Sequence, residues 1–348
     1  MKLKYSVDDL SKKLDLPLAD PVPSFVSVMR YPSSVAITGA QGYFGSFVIS
    51  EFLRRGVRVH GYVRRPIVSQ NPLLCYHYVD DLLNVNEYPS DVEAVIHASA
   101  NTSTAKNLDQ LWVDNVSITK HLFSLAQKTN KRFLHISSLS VFASSDFSGH
   151  VAEEESLLSA ENLYGGYAAS KWCAERWLLE EASKKPTPLS VYRLGLLMSP
   201  NPHPKTPLVP VVAAIKLFGG PPKHLVSSSD FFDATSLSYA AKSLCNSIQT
   251  SGIFNVSGGP LCASTLHNCL EKVSSRQEAP WPNLETKDAR RILGRWFNQN
   301  HQNKMWWTDI FQSGKITFDT KKMAEYCQPA PWTSKDLEEH IRMLSENL

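Results

Sequence analysis

The sequence predicts an α/β fold: a doubly wound parallel sheet with a smaller, mostly C-terminal lobe. Three observations predict it. A short apolar run, Ser34-Val35-Ala36-Ile37-Thr38, is followed by glycines at 39, 42 and 45, then by helical spacing of apolar residues. Strand-like and helix-like segments alternate from there to about Pro200, the order that a parallel sheet with crossover helices requires. A length of 348 residues suffices for a large core and two lobes.

The elements follow in order. Residues 1–30 read as an N-terminal arm, helical from Val7 to Leu16 and then broken by Pro17, Pro21 and Pro23. Ser34 to Thr38 reads as a buried strand. The glycines after it allow a tight turn, close backbone approach to a pyrophosphate, and phosphate at a helix N-terminus. Gly39, Gln41, Gly42, Tyr43, Phe44 and Gly45 are therefore candidate dinucleotide contacts, and the domain reads as Rossmann-type. Their spacing is Gly-x-x-Gly-x-x-Gly, not the commoner Gly-x-Gly-x-x-Gly. The helix running through Phe47 to Leu53 stops at Gly56.

Val57 to Val63 reads as the second strand and ends in Arg64-Arg65-Pro66. An acidic residue at this point would hold a ribose 2′-hydroxyl. Two guanidinium groups suit a 2′-phosphate by charge and fork geometry, so the predicted cofactor is NADPH. The NADP-binding domain spans 31–200 and is continued by about 229–257. Residues 201–228, which open on a proline-rich stretch, and 258–348 form the substrate-binding lobe.

The catalytic candidates lie downstream. Phe133 to Ser138 reads as a strand ending in hydroxyls, and Tyr167 and Lys171 fall on a helix from about Tyr164 to Ala182. Four residues apart, they share one helix face. Moving a tyrosine from pKa about 10 toward about 7 requires roughly 4 kcal/mol of preference for phenolate. A cation about 4 Å away at intermediate effective dielectric supplies about that much. Tyr167 is thus the expected general acid toward a carbonyl oxygen. Ser138 is expected to hydrogen-bond the same oxygen, and Lys171 to act on Tyr167 and on the nicotinamide ribose.

These residues resemble the extended short-chain dehydrogenase/reductase family from about Val35 to Val256. The resemblance implies further cofactor contacts. Asp81-Leu82 is similar to the family's adenine-contacting Asp-Leu. Val95-Ile96-His97-Ala98-Ser99-Ala100 resembles the strand end passing the nicotinamide side, which implicates Ala98, Ser99 and Ala100. Asp114-Asn115-Val116 resembles its Asn-Val helix signal. Ser137-Ser138-Leu139-Ser140-Val141-Phe142 resembles its catalytic serine segment and puts the hydroxyl on Ser138. Arg193-Leu194-Gly195 departs from the family's Arg-Pro-Gly by a leucine.

Within that family the chain resembles thioester reductases, meaning the reductive domains of peptide synthetases and carboxylic acid reductases, and fatty acyl-CoA reductases. The resemblance is carried by Val63-Arg64-Arg65, by the run from Tyr167 to Glu175, and by Asp230-Phe231-Phe232-Asp233-Ala234. The short stretch between Arg65 and Asp81 departs from it. It implies NADPH-dependent reduction of an acyl group on coenzyme A or a carrier protein, to an aldehyde or alcohol. The alternatives are an NADP-dependent ketone or aldehyde reductase, a hydroxysteroid-type dehydrogenase, a nucleotide-sugar epimerase or dehydratase, and a non-catalytic dinucleotide sensor.

Composition narrows the classes. An apolar share of 43%, a charged share of 20% and a net charge of +3 fit a soluble globule and give no footprint for nucleic acid. No apolar stretch reaches a membrane span, and no signal segment is visible, so a cytoplasmic enzyme is expected. Six scattered cysteines and eleven histidines show no ligand spacing, so no metal is expected; His97 and His135 read as core histidines. Trp281, Trp296, Trp306, Trp307 and Trp332 either line an acyl or aryl pocket or pack the lobe. Arg290, Arg291, Arg295 and Lys304 either meet an acidic carrier protein or a coenzyme A phosphate, or form a solvated face. Glu153 to Glu155 reads as a solvated loop.

Overall fold

The computed structural model describes residues 4–14, 30–103, 106–142, 149–151, 157, 162–199, 208, 212, 231–275, 316–329 and 331–347. The nucleotide-binding part contains β2 (Ser34–Thr38), α2 (Tyr43–Arg54), β3 (Arg58–Val63), β4 (Leu74–Tyr78), β5 (Ala94–His97), α3 (Leu108–Trp112), α4 (Ile118–Lys128), β6 (Arg132–Ser138), α5 (Gly166–Lys184), β9 (Leu189–Leu194), α6 (Leu237–Asn246) and β12 (Gly252–Val256). Before it come β1 (Lys4–Ser6) and α1 (Val7–Leu14), and within it the short strands β7 (Gly149–Val151) and β8 (Asn162–Tyr164). The remainder comprises β10 (Leu196–Met198), β11 (Phe231–Ser236), β13 (Pro260–Cys262), α7 (Ala263–Ser275), β14 (Ile316–Phe318), α8 (Lys321–Ala324) and α9 (Ser334–Asn347).

The predicted doubly wound sheet is present. Its seven strands run β12-β9-β6-β5-β2-β3-β4, and all six pairings are parallel. The order reverses direction between β2 and β5, so the ligand crevice of such a sheet lies outside the carboxyl ends of those two strands. β2, β5, β9 and β12 are buried along their whole length, because helices cover both faces. One face packs Val95, Phe133 and Val191 against Leu122, Phe123 and Trp172 of α4 and α5. The other packs Val35, Ile37 and Phe254 against Val48, Phe52 and Leu244 of α2 and α6.

The N-terminal arm is built into this core. β1 pairs antiparallel with β8, and α1 packs on α5, burying Val7, Leu10 and Leu14. Covered by the sheet on one side and α1 on another, α5 is buried without a break from Ala168 to Arg176. A third cluster joins Met198, Leu261, Leu266 and Leu270 to Trp332, Leu337 and Ile341, with α7 against α9. Part of the predicted C-terminal lobe lies elsewhere. β14 pairs with β7, and Met323 is buried in the core between the sheet and α2/α6. The apolar side chains of Ile316 and Met323 gain more burial on the nucleotide-binding part than a free segment offers. Among the C-terminal tryptophans named above, Trp332 packs in the third cluster and meets His340 edge-on at 5.6 Å. Trp281, Trp296, Trp306, Trp307, Arg290, Arg291, Arg295, Lys304, Glu153 to Glu155 and all of 201–228 except Leu208 and Val212 lie outside the described residues.

Candidate active site

The glycine loop fills the crevice between β2 and β5. Gly39 has φ +71°, and a Cβ there would sit 2.8 Å from the Ser99 amide nitrogen and 2.9 Å from the Ala98 carbonyl oxygen. The two loops leaving β2 and β5 are thus in backbone contact. A Cβ on Gly42 would lie 2.8 Å from the Gly39 oxygen, and one on Gly45 would lie 2.2 Å from it. Gly42 N donates to that oxygen at 2.7 Å and stands at the N-cap of α2. No acidic residue occupies the first turn of α2. A helix start with a glycine floor and no carboxylate fits an anion such as a pyrophosphate. The predicted Gln41, Tyr43 and Phe44 lie on this turn; Phe44 is buried.

Arg64 and Arg65 follow β3 directly. Both are exposed, and neither pairs with a carboxylate among the described residues. Asp81 caps the 3-10 turn Leu82–Asn84, its Oδ1 accepting from Leu83 N at 2.9 Å, while Leu82 is buried beneath it. One of the two Asp81 oxygens is therefore already engaged.

Ser138 ends β6, and Tyr167 and Lys171 stand on the first turns of α5. The Ser138 hydroxyl lies near enough to the Tyr167 phenol to lower its pKa. It also accepts from Ser140 N at 3.2 Å. Gly166 sets how closely α5 begins to α3: a Cβ there would lie 2.4 Å from the Lys106 oxygen and 2.8 Å from Leu108 N. The sequence reading passed over Gly166; its place beside Tyr167 was the available signal. Lys171 is buried, and its Nζ donates to the Ile136 carbonyl at 2.7 Å.

The electrostatics correct one expectation. Tyr167 is half-buried. That burial pushes the phenol up to about 12, against the smaller lowering by the Ser138 hydroxyl. The downward pull expected from Lys171 does not govern it, because burial penalises the phenolate more strongly. Burial also brings the Lys171 ammonium down to about 8, opposed by the charge of Glu175.

Behind this face lies a set of struts. Asn115 sits in a π-helical turn, Val113–Ser117, and is almost wholly buried. Its Oδ1 accepts from Asn101 N at 2.7 Å, and its Nδ2 donates to the Asn101 carbonyl at 2.9 Å and to Ser170 Oγ at 2.8 Å. Ser170 Oγ in turn donates to the Tyr167 carbonyl at 2.8 Å. Asn115 thus ties the loop after β5 to the helix carrying Tyr167. Both amide hydrogens are used within the protein, so no Asn115 donor is left for a cofactor.

A second strut is ionic. Glu175, one turn beyond Lys171 and fully buried, accepts from Arg193 Nε at 2.7 Å and from Ser137 Oγ at 2.5 Å. Arg193 also lies over the Phe142 ring at 4.8 Å. Glu175 closes the run from Tyr167 noted in the sequence, four residues after Lys171, whereas its pairing with Arg193 joins two distant elements.

His97 and His135 are buried and stacked with centroids 5.8 Å apart. Burial holds His97 down at about 3 and His135 well below the usual histidine range. Thr119 Oγ1 donates to the Asn115 carbonyl at 2.8 Å, so it accepts from His97 Nε2 at 3.0 Å, and His97 Nδ1 accepts from Thr38 Oγ1 at 2.8 Å. A cavity of about 120 Å³ lies elsewhere, lined by Asp233, Ser257, Ile316 and Phe318 among others. Burial pushes the Asp233 carboxyl up to about 6, against hydrogen bonds from Ser257 and Thr235. None of Ser138, Tyr167 and Lys171 lines this cavity.

Comparison with known proteins follows from this geometry. Residues 35–226, more than half of the 348, match the NAD dependent epimerase/dehydratase family. The chain belongs to that family. It is the extended short-chain dehydrogenase/reductase family anticipated from the motifs, and the chain is an NAD(P)-dependent enzyme of that type. A polyketide synthase-nonribosomal peptide synthetase of Aspergillus clavatus is 28% identical over 190 residues, 49% of this chain and 5% of that protein. The NRPS-like oxidoreductase fscA of Fusarium equiseti is 26% identical over 319 residues, 84% of this chain and 29% of that protein. The chain therefore spans only a small part of the length of these relatives.

Among solved structures, the terminal R domain from the myxalamid PKS-NRPS biosynthetic pathway superposes with a TM-score of 0.73 at 18% identity, covering 98% of both chains. UDP-glucuronic acid 4-epimerase from Bacillus cereus, solved with UDP-glucuronic acid and NAD, gives 0.66 at 18% identity, covering 90% of this chain and 100% of that one. At these identities the structures speak for the fold. Among the described residues, no helix is long and apolar enough to cross a membrane.

Proposed function

We propose that the chain is an NADPH-dependent reductase of a thioester-linked acyl group, carried on coenzyme A or on a carrier protein. The observation that carries the chemistry is the Ser138 hydroxyl beside the Tyr167 phenol, with Lys171 one turn further along α5. The thioester substrate is supported by the relative aligned over 84% of the chain and by the R domain whose fold matches along 98% of it. NADPH is supported by the exposed pair Arg64 and Arg65 after β3.

When bound, the dinucleotide supplies the hydride. Ser138 and Tyr167 both hydrogen-bond the acyl carbonyl oxygen and fix it at the end of β6. A phenol held up at about 12 is protonated at neutral pH, the form that a general acid needs. As negative charge develops on the oxygen, Tyr167 gives it the proton. Lys171, cationic below about 8 and on the same helix face, stabilises the phenolate left behind. Asn115 is a positioning residue that holds α5 against the loop after β5. The resulting thiohemiacetal breaks its C–S bond, the hydroxyl proton passes to sulfur, and aldehyde and thiol leave. The product is the aldehyde, or the alcohol where a second hydride follows.

The test is NADPH oxidation by the purified protein with acyl-CoA and acyl-pantetheine thioesters, the matching free aldehydes and simple ketones, each repeated with NADH. Thioester turnover with release of free thiol is expected. Turnover on free carbonyls alone would keep the Tyr167 chemistry and overturn the thioester. The fold match to a UDP-sugar epimerase favours a second reading, epimerisation with retained NAD. Purified protein that carries its own nicotinamide and does not consume added NADPH would establish that reading instead.

A further inference from the structure

The outer edge of the sheet holds a cluster of donors unrelated to hydride transfer. β3 and β4 run parallel with His60 opposite Cys75 and Tyr62 opposite His77. Side chains in register project from the same face, so all four share one. His60 Nδ1 lies 2.9 Å from His77 Nε2, and one ring nitrogen of each histidine falls with Cys75 Sγ in a group of three within 4.8 Å of one another. On the far side of its ring, His60 Nε2 lies 3.3 Å from Asp91 Oδ2. A carboxylate only accepts, so Nε2 carries the hydrogen and Nδ1 turns its lone pair toward His77. Arg58 holds the same Asp91 oxygen at 3.8 Å. The Tyr62 ring stacks on His77 at 5.2 Å and fixes that ring in turn.

We infer that His60, Cys75 and His77 form a binding site for a borderline divalent cation of the zinc type, with water as the fourth ligand. Two imidazoles and a thiolate are the donors such ions prefer, and magnesium and calcium do not. The Asp91–His60 contact is the outer carboxylate that orients a metal-ligating histidine. Nitrogen ligands at about 2.0–2.1 Å in a tetrahedron stand about 3.3 Å apart, so the two rings need to spread by only a few tenths of an ångström from their 2.9 Å contact. Cys75 is exposed, which gives the ion an entry path and the water its place. On binding, the Cys75 thiol loses its proton to solvent and forms the metal–sulfur bond. His77 moves its proton from Nε2 to Nδ1, and no oxidation state changes. The bound ion cross-links edge strand β4 to β3, directly below the segment that bears Arg64 and Arg65. Sequence spacing gave no hint of this site, because the ligands come from two strands and meet only through their register.

The full chain, stripped with a chelator, is titrated with cobalt(II) as an optical probe and then with zinc(II). One equivalent of cobalt is expected to give a thiolate-to-cobalt charge-transfer band. Zinc should displace that ion and raise the Tm by at least about 2 °C. Cys75→Ser should abolish the charge-transfer band, and His77→Gln should weaken cobalt binding at least about 10-fold, both variants remaining folded. A wild-type chain with no thiolate band, a band that survives in Cys75→Ser, or a Tm indifferent to zinc would overturn the inference. None of these readouts depends on catalytic activity, so they stand or fall apart from the reductase reading.

Discussion

Replacing Glu175 with glutamine tests whether the buried carboxylate behind Lys171 sets the pH range of the reaction. Burial lowers Lys171 to about 8, and the Glu175 charge opposes that lowering. A unit charge about 6 Å away at an effective dielectric of about 20 is worth about 3 kcal/mol. Arg193, paired to the same carboxylate at 2.6 Å, cancels most of this at Lys171. Glutamine removes the carboxylate but leaves the Arg193 charge, so the whole of the Glu175 contribution is lost, equivalent to at most about 2 pH units. Lys171 is charged below its pKa, and it is the charged form that supports the departing proton of Tyr167. Turnover is therefore present at lower pH and lost as pH rises through about 8. In Glu175→Gln that alkaline limb should move down by about one to two units.

The same substitution strips Arg193 of its counter-ion in a fully buried place. Breaking one side of a buried pair costs about 3–5 kcal/mol. At about 2.1 cal/mol/K per residue, a chain of 348 residues has an unfolding entropy of about 0.7 kcal/mol/K. The Tm should then fall by about 4–7 °C. The assay is a pH profile of kcat under saturating NADPH and substrate, paired with thermal unfolding of both proteins. A folded variant whose alkaline limb stays in place, or moves to higher pH, refutes the coupling between Glu175 and Lys171.

Three further outcomes are expected. Gly45→Ala puts a methyl 2.2 Å from the Gly39 oxygen, so the loop must shift; dinucleotide affinity measured by fluorescence titration should fall at least about 100-fold, about 2.7 kcal/mol. Changing both Arg64 and Arg65 to alanine removes about 1.5–3 kcal/mol of charge-assisted hydrogen bonding to a 2′-phosphate. The Kd for NADPH should rise about 10- to 100-fold while that for NADH is unchanged, and equal losses for both would remove the arginines from the specificity argument. Asn115→Leu leaves Asn101 N and Ser170 Oγ without their partner, at about 1–3 kcal/mol for each buried group. Calorimetry should show the lowered Tm, and kcat should drop with KM for the thioester little changed.

What the sequence made legible was what the backbone alone demands. Gly39, Gly42 and Gly45 stand where a Cβ would strike the Gly39 carbonyl or the Ala98–Ser99 backbone, a constraint visible in glycines spaced three residues apart between a strand and a helix. Tyr167 and Lys171 share a face because the helix repeat puts them there. What was not legible depends on distance in the chain. Glu175 meets Arg193 18 residues on, Asn115 meets Ser170 55 residues on, and His60 meets His77 only because β3 and β4 pair in one register. The direction of the Tyr167 shift was missed for the same reason, since burial depends on elements distant in the chain and is invisible in a four-residue motif. That correction bears on the direction of the proposed reaction. A phenol at about 12 gives up a proton only to an oxygen that is itself becoming strongly basic, as a carbonyl oxygen does when hydride adds to its carbon. The reverse, oxidation of an alcohol, requires the phenolate as base, which burial disfavours. The protonated phenol is the form that reduction uses, and the Lys171 charge that supports its proton transfer is lost as pH rises through about 8.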